Sequence, residues 1–181
     1  RDLHKEYRRQ RQMCIRDRAG LKSVTEGGVI TAGNASQITD GAAAVMVCNE
    51  AGLKKIKTDP RARIVAISVV GDDPIMMLGG PIPASHKVLK AAGLTIDDID
   101  LYEVNEAFAP VPLSWAIELK ADQNKLNVNG GAMALGHPLG ATGAKLMTTL
   151  LHELERREAK YGLQAICEGG GTANATIIER I

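Results

Sequence analysis

The chain has 181 residues and a formal net charge of +1, a length that suits one domain able to bury about two-thirds of its unfolded surface. So balanced a charge gives no electrostatic footing to nucleic acid or to an anionic membrane as partner. Three cysteines, odd in number and widely spaced, are no disulfide framework and fit a reducing, cytoplasmic compartment, while no apolar run reaches the roughly 20 residues that span a bilayer.

Residues 1–18 are basic, lack a sustained apolar period and are too charged for a secretory leader. They read as an atypical segment, disordered or artefactual, outside the fold. From Ala19 the texture is that of a compact α/β protein. Aromatic residues make up only 3% of the chain, so the core must be built from Ala, Val, Ile and Leu. Ala42–Cys48 is a small-apolar run that suits a buried strand, although the pattern alone also admits a helix. Asn49–Lys57 reads as a short helix. Arg63–Val70 is rich in β-branched residues and stops at Gly71-Asp72-Asp73-Pro74. Pro83–Ala92 is expected to be a helix, with proline in its first turn and Gly93 just past its end. Thr95 opens a capped turn over residues 96–99. Leu101–Val104 reads as a short strand, Glu106–Leu119 as a helix interrupted near Pro110 and Pro112, and Leu126–Val128 as a short strand. Thr142–Glu158 carries the clearest helical pattern: Leu146, Leu150, Leu151 and Leu154 share a face, and Glu153 stands one turn before Arg157. Leu163–Cys167 and Asn174–Glu179 are strands on either side of Gly169-Gly170-Gly171, close enough to pair antiparallel. Strands alternating with helices predict a layered α/β sheet.

Asn129 to Gly143 packs five glycines around one histidine, His137, held between Gly136 and Pro138. A histidine on so stiff a loop is suited to carry a proton near neutral pH or to donate to a developing oxyanion, with a structural role as the plain alternative. Cys167 ends an apolar strand and runs into the triple glycine. It is either a small core residue or a thiol placed as acid or base. Asn105 stands where a strand hands over to a helix, and either caps that helix or holds a water or carbonyl. Glu106 at the same point satisfies the helix dipole and needs no further role. Thr31-Ala-Gly-Asn-Ala-Ser36 is a small polar loop, either a plain turn or backbone for a ligand to lie against. The histidines are isolated and no Cys-x-x-Cys occurs, so no metal is expected.

These motifs in this order resemble the C-terminal half of the thiolases, the acyl-CoA acetyltransferases. They are Thr31-Ala-Gly-Asn-Ala-Ser36 with Asp40-Gly-Ala-Ala-Ala44, Asn105-Glu-Ala-Phe108, Gly130 through Gly143, and Cys167-Glu-Gly-Gly-Gly171. The resemblance runs from about Ala19 to Ile181. It implies the layered α/β/α thiolase fold with a mixed sheet, residues 19–36 belonging to the tail of the loop domain or N-terminal region and 37–181 to the C-terminal domain. It also implies roles. His137 would activate a nucleophilic cysteine and help bind the thioester oxygen. Cys167 would exchange a proton with the acetyl carbon or leaving thiol. Asn105 would fix a water in one oxyanion hole, and the Gly169 N–H would donate in a second. Ser36, Ala107 and Phe108 would lie along the substrate. The coenzyme A thioester is then substrate, with no separate cofactor.

Two departures from the family pattern stand out. The acylated cysteine has no counterpart here, since Cys14 sits in the wrong setting, and Glu168 fills a position that is often apolar. The implied partners are therefore an acyl-CoA, a missing N-terminal half and, for the parent enzyme, further copies of itself; the chain alone is expected to be inactive. The rival is a non-catalytic thiolase-like chain, structural or acyl-CoA-binding. A ketoacyl-synthase type of condensing enzyme would be expected to place a second histidine where Cys167 stands.

Overall fold

A sheet of four strands carries the fold. The computed structural model describes residues 17–181; the expectations for the segment up to residue 16, Cys14 among them, lie outside the described residues. In chain order come α1 (Glu50–Ile56), β1 (Ala62–Gly71), α2 (Pro81–Ala92), β2 (Leu101–Val104), α3 (Pro110–Glu118), the single turn α4 (Ala132–Leu135), α5 (Thr142–Arg156), β3 (Tyr161–Glu168) and β4 (Thr172–Arg180). The strand order is β1-β4-β3-β2. β4 pairs antiparallel with both β1 and β3, and β3 pairs parallel with β2.

Period-two alternation sends the strands' side chains to two different layers. One face, with Tyr102, Val104, Leu163, Ala165, Ala175 and Ile177, packs against α2 and α3. Its largest member is Trp115 of α3, fully buried, 5.3 Å from the Tyr102 ring, its indole N–H donating to Ser85 Oγ at 2.8 Å. A buried indole needs such a partner. The other face meets α5 through Leu101, Ile178, Leu150 and Leu154. There Gly162 is required, because a Cβ would come within 2.8 Å of the Leu150 side chain.

One step along that second face the register aligns Glu103, Gln164 and Thr176, all buried. Glu103 Oε2 and Gln164 Oε1 have no hydrogen-bond partner. Burial first, and then the Glu106 carboxylate, push the Glu103 carboxyl up to about 8, against the pull of Lys145. A protonated Glu103 supplies the donor that two facing acceptors lack.

Local punctuation follows the sequence closely. The Asn49 side chain caps α1 by accepting from the Gly52 N–H at 2.9 Å. Gly93 closes α2 at φ 68°, a conformation glycine adopts freely. Asp98 Oδ2 accepts from both the N–H and the hydroxyl of Thr95 at 2.8 Å. α2 starts two residues before the expected Pro83, at Pro81; a helix N-terminus tolerates proline because its first amides are unpaired anyway.

Three expectations are corrected. Ala42–Cys48 is not a buried strand: the segment is irregular and leaves Met46 76% and Val47 68% exposed. A strand needs a neighbour for its backbone groups, and none of the described strands lies beside it. The helix expected from Glu106 begins only at Pro110. Pro110 and Pro112 therefore open it rather than kink it, and residues 105–109 are free to make other bonds. Leu126–Val128 forms no strand beyond an isolated bridge between Leu126 and Tyr102. Asn127 has φ 46°, and its side chain does a strand's pairing instead. Oδ1 accepts from the Val104 N–H and Nδ2 donates to Val104 O, both at 2.9 Å.

That amide also reaches Glu106 Oε1 at 2.9 Å, while Glu106 Oε2 accepts from the Met133 N–H at 3.0 Å. A Cβ on Gly131 would run into this carboxyl group. Glu106 thus pins the glycine loop to the end of β2. At the loop's start, Asn129 Nδ2 donates to Glu153 Oε2 at 3.0 Å. Glu153 is itself held down to about 2, mainly by Arg156.

Two outcomes are expected. Glu106→Ala leaves two donors unpaired and lowers chain stability by about 1–3 kcal/mol, whereas Glu106→Gln, which retains one acceptor oxygen, loses less; equal melting temperatures for all three proteins would refute the clamp. Glu103 titrates with the opposite sign to a salt-bridged carboxylate. Its folded value lies above the ordinary 4.5, so its contribution is fully present below about pH 4.5 and is lost as pH rises through about 8. Melting curves from pH 5 to 9 should therefore show the chain losing ground to Glu103→Gln by an amount on the order of a few kcal/mol, and a difference independent of pH would refute the assignment.

Candidate active site

The candidate residues gather at one end of the sheet, where β2 and β3 both terminate. Asn105 follows β2 directly and prolongs its ladder, donating its N–H to Ala165 O at 3.0 Å. Its side chain is buried, at 1% exposure, and both Oδ1 and Nδ2 are without a hydrogen-bond partner. Asn105 is no helix cap, since α3 begins five residues later. Buried amides are almost always paired, and among the described residues this one has no partner.

Cys167 occupies the far end of β3, opposite Ala173 of β4, on the sheet face covered by α2 and α3. It is 8% exposed and a free thiol. Burial pushes the thiol up, and the Glu168 charge adds to this, against a backbone hydrogen bond that lowers it. Glu168 itself points to the hairpin, accepting from Asn174 Nδ2 at 2.5 Å and Thr172 Oγ1 at 3.1 Å. Beyond it Gly169 is exposed, with open space where a Cβ would stand. Gly170 and Gly171 turn the chain at φ 77° and 79°. At Gly171 a Cβ would collide with the backbone of residues 72–74.

His137 comes from the loop before α5. Its Nδ1 lies 2.6 Å from Thr142 Oγ1, and the Thr142 hydroxyl donates to Pro138 O at 3.0 Å. With that proton directed to Pro138, the hydroxyl oxygen accepts from Nδ1–H and leaves Nε2 with its lone pair, the form a general base needs. Burial and the neighbouring Lys145 both hold the imidazole below its ordinary value. Thr142 is buried, and Gly143 beside it lies over Ile166 of β3. His137 is thus held against the first turn of α5, and Cys167 lies on the face covered by α2 and α3.

The segment 34–38 ties these parts together. Ser36 N–H donates to Ala107 O at 3.0 Å, and His137 N–H donates to the adjacent Gln37 O at 2.9 Å. Ala35 bridges Phe108, and Ile38 bridges His137. Ser36, Ala107 and Phe108 are thus brought together, and a single strand-like stretch spans from them to the histidine. A groove of about 390 Å³ opens beside it, between residues 39–43 and 138–141. It does not include Cys167 or Asn105. Among the described residues no cluster of His, Cys, Asp or Glu is placed to hold a metal ion.

Reading the residues as a sequence passes over Thr142, Lys145 and Gln37, and takes Glu106 for a helix-dipole residue. Thr142 and Lys145 had a signal: both fall within the first turns of a helix that opens just after His137. Gln37 contributes only a backbone carbonyl, which no sequence pattern reveals.

The family model for the thiolase C-terminal domain matches residues 58–180, and that for the thiolase N-terminal domain matches residues 15–51. A steroid 3-ketoacyl-CoA thiolase of Mycobacterium tuberculosis is 58% identical over 94% of this chain and 42% of its own length. An acetyl-CoA acetyltransferase of Thiocystis violacea is 51% identical over 85% of this chain and 39% of its own. The crystal structure of the Bacillus anthracis acetyl-CoA acetyltransferase superposes with a TM-score of 0.88 at 44% identity, over 92% of this chain and 42% of that one. Human mitochondrial 3-ketoacyl-CoA thiolase, solved in complex with CoA, gives 0.83 at 46% identity, over 90% of this chain and 42% of that one. The chain spans about two-fifths of the length of these relatives. Its mixed sheet between helical layers is the layered α/β arrangement of those structures, and the chain belongs to the thiolase family.

Proposed function

We propose that this chain supplies the C-terminal part of the active site of an acyl-CoA acetyltransferase, which cleaves 3-ketoacyl-CoA with coenzyme A to acetyl-CoA and a shortened acyl-CoA, and runs the reverse Claisen condensation. The nucleophilic cysteine comes from a part of the parent enzyme outside these 181 residues.

Each role follows from local chemistry. His137 Nε2 takes the proton of the nucleophilic thiol, and the thiolate adds to the 3-keto carbon. The bond between C2 and C3 then breaks, leaving the enolate of acetyl-CoA and an acyl-enzyme. Cys167 gives its proton to the enolate carbon, and its thiolate takes one from incoming coenzyme A, which attacks the acyl-enzyme. A base should be uncharged before the reaction and an acid should keep its proton; burial drives His137 and Cys167 in those two directions. Asn105 holds a water that donates to the developing oxyanion, and the Gly169 N–H faces a second one. Ser36, Ala107 and Phe108 lie along the substrate. The observation that carries the reading is the buried, unpaired Asn105 amide directly after β2, beside the end of β3 that carries Cys167.

The rest of the parent covers the bare apolar surface. Ile67 and Val69 of β1 are 58% and 62% exposed, because α5 covers the other end of the sheet. Val45–Val47 and Ile117 are bare as well. Patches of this kind mark interfaces. The described cysteines are free thiols, which fits a cytoplasmic enzyme, and the parent works as a homo-oligomer.

In the complete enzyme, His137→Ala and Cys167→Ala should each cut thiolysis of acetoacetyl-CoA by about 10²-fold or more with little change in melting temperature; equal melting losses with unchanged rates would defeat the assignment. The 181-residue chain alone should show no turnover, and sustained activity from it would overturn the claim that half the site lies elsewhere.

A further inference from the structure

Taking His137 as the base, we propose that Lys145 is its positioning residue: the ammonium clamps the two carbonyls that precede the histidine and sets a fixed positive charge next to its loop. Lys145 stands one turn after Thr142 on α5, so both side chains leave the helix toward the same loop. Nζ donates to Gly136 O at 2.9 Å and to Leu135 O at 3.3 Å. At the residue before His137 the chain has no side chain to be held by. Gly136 lies at φ 87°, and a Cβ there would stand 2.6 Å from the Thr39 side chain. Its backbone carbonyls are what remains for a support to grip.

The clamp and the charge act together. An ammonium fixed beside the histidine's own backbone makes an imidazolium costly, which keeps Nε2 free to accept. The same repulsion helps the imidazolium return its proton to the leaving thiolate later in the cycle. Charged groups on the elements packed around His137 are Lys145 from α5, Asp40 from the segment containing Ile38, and Glu168 at the end of β3. Asp40 and Glu168 are exposed, and Glu168 is engaged by Thr172 and Asn174. Lys145 is half-buried and is the cation that acts on His137.

Lys145→Gln removes the charge but keeps donors for the two carbonyls, Lys145→Met removes both, and Lys145→Arg keeps both. Two readouts separate this proposal from the catalytic one: a nitrogen-15 NMR titration of His137 in the chain, and the pH profile of kcat/KM for acetoacetyl-CoA thiolysis in the complete enzyme. With Lys145→Gln and Lys145→Met, the His137 midpoint should move to higher pH. The ratio of rates at pH 6 and pH 8 should fall by about twofold or more, while Lys145→Arg stays near the native profile. A shifted NMR midpoint with an unmoved rate profile supports the action of the Lys145 charge on His137 and counts against His137 as the base; a further rate loss in Lys145→Met beyond Lys145→Gln supports the clamp. A native NMR midpoint in both Lys145→Gln and Lys145→Met overturns the proposal.

Discussion

The arrangement depends first on one carboxylate. Glu106 leaves the end of β2 and meets the glycine loop at the Asn127 side chain and the Met133 N–H. Asn127 also pairs with Val104 of β2, but at Met133, nearer His137, Glu106 is the side chain that reaches the loop. Two acidic residues divide the loop between them, Glu106 holding its middle and Glu153 its first residue, Asn129. Glycine at position 131 follows from this constraint, since a side chain there would occupy the carboxylate's place. The glycines of this loop thus answer to different causes: Gly131 makes room for a side chain, whereas Gly130 and Gly136 supply left-handed backbone at φ 86° and 87°.

Cys167 and His137 have different surroundings. Cys167 ends a row of small residues, next to Ala173 and under the α2–α3 layer, where Gly80 brings backbone down onto Ala173. A thiol in that apolar setting keeps its proton. His137 sits in a polar setting, where α5 contributes a hydroxyl and an ammonium within its first turns. The sheet face under α5 holds the buried row of Glu103, Gln164 and Thr176, and Lys145 acts electrostatically on Glu103 as well as on His137. One cation therefore leans on the histidine and on the buried acid beneath α5, opposing protonation of both.

Regular elements with strong periodicity were legible from the residues. α5, β2 and the β3–β4 hairpin lie within one or two residues of where their patterns place them, because each is decided by local side-chain order and by Gly and Pro at its ends. The failures share a cause. Ala42–Cys48 has the composition of a buried strand but no partner strand beside it. Leu126–Val128 looks like a strand and is replaced by the pairing of one asparagine side chain with Val104. In both cases the deciding contact lies outside the segment. The site was legible as residue types, because His137, Cys167 and Asn105 stand beside glycines or at strand ends. Its supports were not, because Thr142, Lys145 and Glu106 matter through the atoms they reach rather than through their neighbours in sequence.

Asn105 and Glu103, two residues apart, show how far a buried polar group can be read from its surroundings. Both are nearly without exposure and both keep an unpaired atom. Glu103 faces another acceptor, Gln164, and resolves the conflict internally by holding a proton. Asn105 has a donor and an acceptor, neither of them titratable, and so has no internal remedy. A neutral amide left unpaired in a dry position costs about 1–3 kcal/mol, a cost relieved by any group, from the rest of the parent or from solvent, that offers it both an acceptor and a donor. That group must reach Asn105 directly after β2, since both atoms of its side chain are buried.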